Sequence, residues 1–136
     1  MSARPVEYTS RYLSGNNEPV FDEIEAADLE VIGDIPSDLS GHFLRIGPNP
    51  YFVPDMDRYH ISDGDGMIHS VTFSGGQATY RNKFIDSKGL REEREKGEWI
   101  YPGLNLFGDV IARGEMPKSK NTGNTAMVFH QGKLFG

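Results

Sequence analysis

Cysteine is missing altogether from the 136 residues. That excludes a disulfide framework, thiolate metal sites and a cysteine nucleophile. Basic charge is scarce as well. Fourteen Lys and Arg stand against twenty Asp and Glu, giving a net charge of −6 and a pI near 5.1. No basic stripe is available to neutralise phosphates, so nucleic acid is not an expected partner. The one basic run, Lys118-Ser119-Lys120, reads as a solvated loop. Long apolar runs are lacking too, and nothing approaches the roughly 20 residues that span a bilayer. The opening Met1-Ser2-Ala3-Arg4-Pro5 leads into polar residues without the apolar stretch of a secretory signal. A cytoplasmic protein is the expectation.

What is present fits one folded, turn-rich domain with a modest core: 37% apolar residues, 16 Gly and 8 Pro. Residues 1–20 are polar and broken by Gly15-Asn16-Asn17 and Pro19. They read as an extended N-terminal arm that docks on a larger body, residues 21–136. Val31–Pro36 reads as a brief strand ended by a turn. His42–Ile46 reads as a buried strand, closed by Gly47-Pro48-Asn49-Pro50 as a rigid surface turn.

The clearest local pattern follows. Met67–Phe73 alternates, which puts Met67, His69, Val71 and Phe73 on one face of a strand. Ser74-Gly75-Gly76 supplies a turn, because Gly accepts positive φ without steric penalty. The strand Gln77–Ile85 returns with Ala78, Tyr80, Asn82 and Phe84 on one face. Ser87–Glu98 holds eight charged residues in twelve and reads as an exposed helical turn or a solvated loop. Trp99–Tyr101 and Asp109–Ala112 read as short strands. Thr125–His130, Gln131-Gly132 and Lys133-Leu134-Phe135 form a second hairpin whose return strand is cut at Gly136. That cut suggests a portion of a longer sheet, since an unfinished strand leaves a neighbour's backbone groups unpaired.

Four His are present, at 42, 60, 69 and 130. His60-Ile61-Ser62-Asp63 offers two ligand types for non-haem iron, though two residues separate them where one is the commoner spacing. Asp63-Gly64-Asp65-Gly66 lacks the third spaced oxygen and closing Glu of a calcium loop, and the Lys-Ser/Thr ending of a phosphate loop. Its two carboxylates could serve acid–base chemistry. The plainer reading is a turn in which Gly supplies unusual backbone angles and Asp binds local N–H groups.

Three stretches together carry a resemblance. Gly41–Pro50 resembles a "G-x-[FY]-x-R-x-G-P-N-P" pattern. Asp63-Gly64-Asp65-Gly66-Met67-Ile68-His69 resembles "F-D-G-D-G-M-[IL]-H". Lys120–Thr125 with Val128-Phe129-His130 and Gly132-Lys133-Leu134 resembles "N-T-[AG]-N-T…H-x-G-[KR]-L". In this order, over about residues 18–136, the chain is similar to the carotenoid cleavage oxygenases, which include the lignostilbene dioxygenases. It departs from them at Ile61-Ser62, where the family has Trp-Phe, two aromatic packing groups beside the turn.

The resemblance implies an all-β fold, a seven-bladed β-propeller of which this chain would supply the arm and about two blades. It implies Fe(II) held by four His on the propeller axis, and O₂-dependent splitting of an alkene into two carbonyl products. The substrate would be an apolar polyene or stilbene aligned in a tunnel, drawn in the parent protein from peripheral contact with a membrane. In the family pattern all four ligands follow the "N-T-x-N-T…G-K-L" stretch. His42, His60, His69 and His130 match none of them, so no catalytic or metal residue is expected here and no iron on this portion alone. Asp63, Gly64, Asp65, Gly66, Met67 and His69 carry over as a structural signature. Phe52 and Phe107, which follow motif-bearing turns, are candidates for the tunnel wall. The alternative for this polypeptide alone is a truncated product without catalysis.

Overall fold

The structure, a computed structural model, describes residues 7–136. Strands β1 (Glu25–Ala26), β2 (Gly41–Pro48), β3 (Gly66–Ser74) and β4 (Gln77–Phe84) form one antiparallel sheet in the order β1-β4-β3-β2. Strands β5 (Val128–His130) and β6 (Lys133–Phe135) form a separate two-stranded sheet. The helices are α1 (Lys88–Lys96) and α2 (Phe107–Ala112). The architecture is therefore mostly β, with two helices that an all-β reading leaves out. No helix among the described residues is long and apolar enough to cross a membrane.

The β3–β4 hairpin follows the alternation of its sequence. Met67 faces Phe84, His69 faces Asn82, Val71 faces Tyr80 and Phe73 faces Ala78, so the expected faces coincide across the ladder. Gly75 and Gly76 both take positive φ (57° and 80°), the pair of angles a two-residue hairpin turn needs to match strand twist. Met67, Phe84 and Leu90 make the core cluster, and Tyr51 packs on it with its ring edge-on to Phe84 at 5.1 Å.

Other segments depart from expectation for identifiable reasons. Residues 31–36 form no strand; Gly33 turns at φ 92° and Ile32 is 96% exposed, so nothing pairs with that segment. Strand β2 extends through Pro48 and is the sheet's edge, which is where Pro is tolerated because no ladder donor is lost. It is not a buried strand, since Phe43 is 63% exposed. Nor is Asn49-Pro50 a surface turn, for both residues are buried.

Trp99–Tyr101 is irregular, because its backbone and rings are engaged by α1 and by neighbouring side chains instead of by a ladder. Residues 107–112 are helical although Val110 and Ile111 favour strands; with no adjacent strand to pair with, i→i+4 bonds satisfy the backbone locally. The charged run at 88–96 is a true helix. Ser87 Oγ caps the Leu90 N–H at 3.1 Å, and Gly97 ends it at φ 77°. Gly89, Leu90 and Glu93 form its buried face.

The arm is clamped by side-chain amides. Asn49 accepts from Val20 N–H and donates to Val20 C=O, both at 2.7 Å. Asn82 accepts from Ile24 N–H at 2.6 Å and donates to Asp22 C=O at 3.0 Å. Leu13 is fully buried, so the stretch from residue 7 to 20 is docked and holds a short 3₁₀ turn at Gly15–Asn17. The rest of the expected arm, residues 1–6, lies outside the described residues.

Candidate functional site

The signature turn is the longest run of buried residues among the described residues: Asp63 through Met67 are all buried. It begins in a 3₁₀ turn, Ile61–Asp63, closed by a reciprocal cap. His60 Nδ1 accepts from Ser62 N–H at 3.2 Å, while Asp63 Oδ2 accepts from His60 N–H at 3.0 Å. The other oxygen of Asp63 accepts from Leu104 N–H at 3.0 Å, so this carboxylate also starts the segment leading into α2. The Ile61-Ser62 departure thus falls within a hydrogen-bonded turn, with Ile61 half-buried and Ser62 exposed.

The two glycines are there because the space is taken. A Cβ on Gly64 would lie 2.7 Å from Tyr59 Oη and 2.8 Å from Asn49 N. A Cβ on Gly66 would overlap the carbonyl of Gly123. Gly66 N–H donates to Thr122 C=O at 2.7 Å, and Asn124 Nδ2 donates to the carbonyls of Ser62 (2.9 Å) and Gly64 (2.7 Å). Residues 120–125 therefore lie as a strap directly over the turn.

Asp65 is where sequence reasoning stopped short. Its Oδ2 accepts from Tyr51 N–H at 3.1 Å, the local N–H contact a turn residue suggests. Its Oδ1 accepts from Lys120 Nζ at 2.7 Å, and the same ammonium donates to Glu93 Oε2 at 2.6 Å. The three side chains are 1%, 3% and 0% exposed. Lys120 is not in a solvated loop; its stem lies on Gly89 of α1, where any Cβ would overlap it, and its ammonium sits 4.4 Å from the centre of the Trp99 ring. Glu93 completes its bonding by accepting from Ile100 N–H at 3.2 Å through Oε1. Burial raises the Glu93 carboxyl above its ordinary value, opposed by the Lys120 ammonium. The Tyr59 hydroxyl is pushed well up, first by burial and then by Asp63 and Asp65.

Glu93 and Lys120 were not singled out by sequence reasoning. The available signal for Glu93 was helical spacing: Gly89, Leu90 and Glu93 share a face in an otherwise charged helix. Lys120 gives no such signal, because its partners are 55 and 27 residues away.

Met67 is a core residue whose sulfur receives Asn82 Nδ2 at 3.6 Å. His69 is half-buried on the sheet face, with Nδ1 2.7 Å from Tyr80 Oη. Burial, and then the nearby Arg45 charge, lower its pKa. Phe107 opens α2 and borders a hollow of about 300 Å³ whose walls include Asp63, Trp99, Tyr101 and Lys120. Phe52 is not among the residues that line this hollow, and its ring lies edge-on to Tyr51 at 5.0 Å.

The four His do not converge. His42 Nδ1 bonds Thr72 Oγ1 at 2.9 Å, His60 caps its turn, His69 bonds Tyr80, and His130 is exposed in β5. Among the described residues no three His, Asp or Glu side chains are grouped to hold a metal, so these residues do not fit an iron centre. The His60/Asp63 pair serves as a cap. Asp63 and Asp65 are each fixed by two donors, and they hold the turn together without presenting a free carboxylate pair.

Comparison with known proteins places this geometry. The family model described as retinal pigment epithelial membrane protein matches residues 17–136. Carotenoid 9,10(9′,10′)-cleavage dioxygenase 1 of Phaseolus vulgaris is 38% identical over 137 residues, covering 90% of this chain and 25% of the relative. Lignostilbene-α,β-dioxygenase isozyme III of Sphingomonas paucimobilis is 30% identical, with the same coverages. The crystal structure of Pseudomonas brassicacearum lignostilbene dioxygenase superposes with a TM-score of 0.78 at 26% identity, covering 93% of this chain and 26% of that one. The chain thus spans about a quarter of the length of the curated relatives it matches. With its signature turn, strap and sheet all inside the matched region, the chain belongs to the carotenoid cleavage oxygenase family.

Proposed function

We propose that this chain is the N-terminal portion of a non-haem Fe(II)-dependent dioxygenase that cleaves an alkene bond of a carotenoid, apocarotenoid or stilbene with O₂, giving carbonyl products. The observation that carries the reading is the family match across residues 17–136, with relatives named as carotenoid and stilbene dioxygenases. In this reading residues 1–20 are a docking arm, and residues 21–136 begin a seven-bladed propeller of which they form about two blades. The metal ligands are supplied by polypeptide beyond this chain, and none of its own His is assigned to iron.

The residues present act as scaffold. Asp63 and Asp65 each accept two hydrogen bonds, which fixes the turn that starts β3. Phe107, with Trp99 and Tyr101, offers an apolar wall beside that turn, the kind of surface that would orient a polyene or stilbene. The parent protein is assigned to the cytoplasm, in peripheral contact with a membrane that holds its apolar substrate.

The test compares two purified proteins: this chain, and the product of its reading frame extended to the length of the relatives. Each is supplied with Fe(II), O₂ and a panel of carotenoid, apocarotenoid and stilbene substrates, and carbonyl products are separated by chromatography. The extended protein is expected to bind iron and release two carbonyl fragments, and the 136-residue chain neither. Iron-loaded extended protein inert toward the whole panel would overturn the activity. Stoichiometric iron with turnover by the short chain would overturn the placement of the ligands.

A further inference from the structure

The Asp65–Lys120–Glu93 cluster joins the signature turn, helix α1 and the strap through one side chain. Lys120 reaches back 55 residues to the signature turn and 27 to helix α1. The outer oxygens of the two carboxylates are held by the backbone N–H groups of Tyr51 and Ile100. The ammonium therefore bonds the turn and helix α1 directly and reaches the Tyr51 and Ile100 segments through the two carboxylates, and the Trp99 ring also faces it. Titratable groups nearby are Tyr59, influenced by Asp65, and the carboxylate of Asp63.

Removal of the cation would leave two carboxylates, each essentially without solvent contact, and no positive charge between them. A buried carboxylate without its partner is driven to reach water. For Asp65 that movement breaks the bond from Tyr51, and for Glu93 the bond from Ile100. The far end of the strap is tied independently, by Gly66 N–H on Thr122 C=O and by Asn124 Nδ2 on Ser62 and Gly64. The Lys120 Cβ itself lies against Gly89 of α1, two residues before Thr122, so the strap's near end is held to the helix close to the bond that holds its far end.

We infer that Lys120 is a clasp: residues 120–125, the Asp63–Gly66 turn and the Glu93–Ile100 contact open and close as one unit, separately from the β3–β4 ladder that begins at the Met67–Phe84 pair. It holds irrespective of the chemistry of the parent protein.

Amide hydrogen exchange of the 136-residue chain, followed residue by residue by NMR, tests it. The decisive variant is Asn124→Ala, which loosens the distal end of the strap and leaves the charge cluster intact. Exchange at the Gly66, Tyr51 and Ile100 amides is expected to accelerate together, by roughly tenfold or more, because Asn124 Nδ2 donates two hydrogen bonds to the turn. The β3–β4 ladder amides are expected to keep their protection. Lys120→Met should accelerate the same three amides further and by a common factor. If it does not fold, Asn124→Ala decides alone. Acceleration at Gly66 with Tyr51 and Ile100 unchanged would show separate contacts and overturn the clasp. An equal loss throughout the ladder would show global loosening and overturn it as well.

Discussion

The signature turn and the β5–β6 hairpin invert the usual order of burial. Around the turn, Asp65, Glu93, Lys120 and Asn82 are almost wholly withdrawn from water. In the hairpin, Val128, Phe129, Leu134 and Phe135 lie open, with Phe129 at 73% exposure. Polar side chains survive burial where every donor and acceptor is met, and here the bonds come from within the chain. Exposed apolar strands are stable neighbours only when something covers them. The turn is thus satisfied by distant segments of this same chain, whereas the hairpin's apolar side chains are left uncovered in a chain that spans a quarter of its relatives' length.

Lys120→Met should break that contrast with the largest effect. The substitution keeps the stem and deletes the charge, leaving Asp65 and Glu93 buried against each other. A loss of about 3–5 kcal/mol is expected for breaking a buried pair in this way, read as a shift in the urea midpoint. A change below about 1 kcal/mol would show that water reaches the cluster readily, and the turn would lose its standing as a sealed site.

Gly66→Ala comes next. A Cβ there overlaps Gly123 C=O, which is backbone and cannot swing aside, so β3 and the strap must part. The expected cost is about 3 kcal/mol, at the upper end for overpacking, measured by thermal unfolding. Gly47→Ala is the matched control inside β2: nothing lies within 4 Å of its added Cβ, and little change is expected.

How far these features were legible in the sequence follows from the range of their contacts. The β3–β4 hairpin was readable because alternation and Gly75-Gly76 are local signals. Strand β2 was found, but its burial was not, since edge or centre depends on sheet order. Val110 and Ile111 suggested a strand that has no neighbour to pair with. Glu93 and Lys120 sit in charged stretches that read as solvated, and only the meeting of distant segments reveals that they are sealed. The signature turn was recognised as a pattern, and its carboxylates' partners were not.

Two titrations sharpen the comparison with smaller, opposing effects. The Glu93 carboxyl is raised in the folded chain from an ordinary 4.5. The folded state then retains a proton that the unfolded state has released, so this group's contribution to stability is complete below pH 4.5 and is lost as pH rises through the folded value. His69 is lowered from an ordinary 6.5, so its contribution is complete above pH 6.5 and is lost as pH falls toward the folded value. Urea midpoints taken across pH should lose the descending slope in Glu93→Gln and the ascending slope in His69→Gln. If each variant kept the parent's profile, neither group would be the source.

The smallest effect on stability is expected at the exposed Phe129. Phe129 and its cross-strand neighbour Leu134 belong to a three-residue pairing, and neither is a member of the Met67–Phe84–Leu90 core cluster. Phe129→Ser should therefore move the unfolding midpoint by no more than about 0.5 kcal/mol, the range of ordinary surface changes. Its effect should appear in association instead. The wild-type hairpin offers apolar side chains and an unpaired strand edge, which favour edge-to-edge pairing between copies. Light scattering at raised concentration should show slower aggregation in the variant at equal stability. If Phe129→Ser destabilised the monomer as much as Gly66→Ala, the hairpin would be part of the core and the contrast between the two regions would fail.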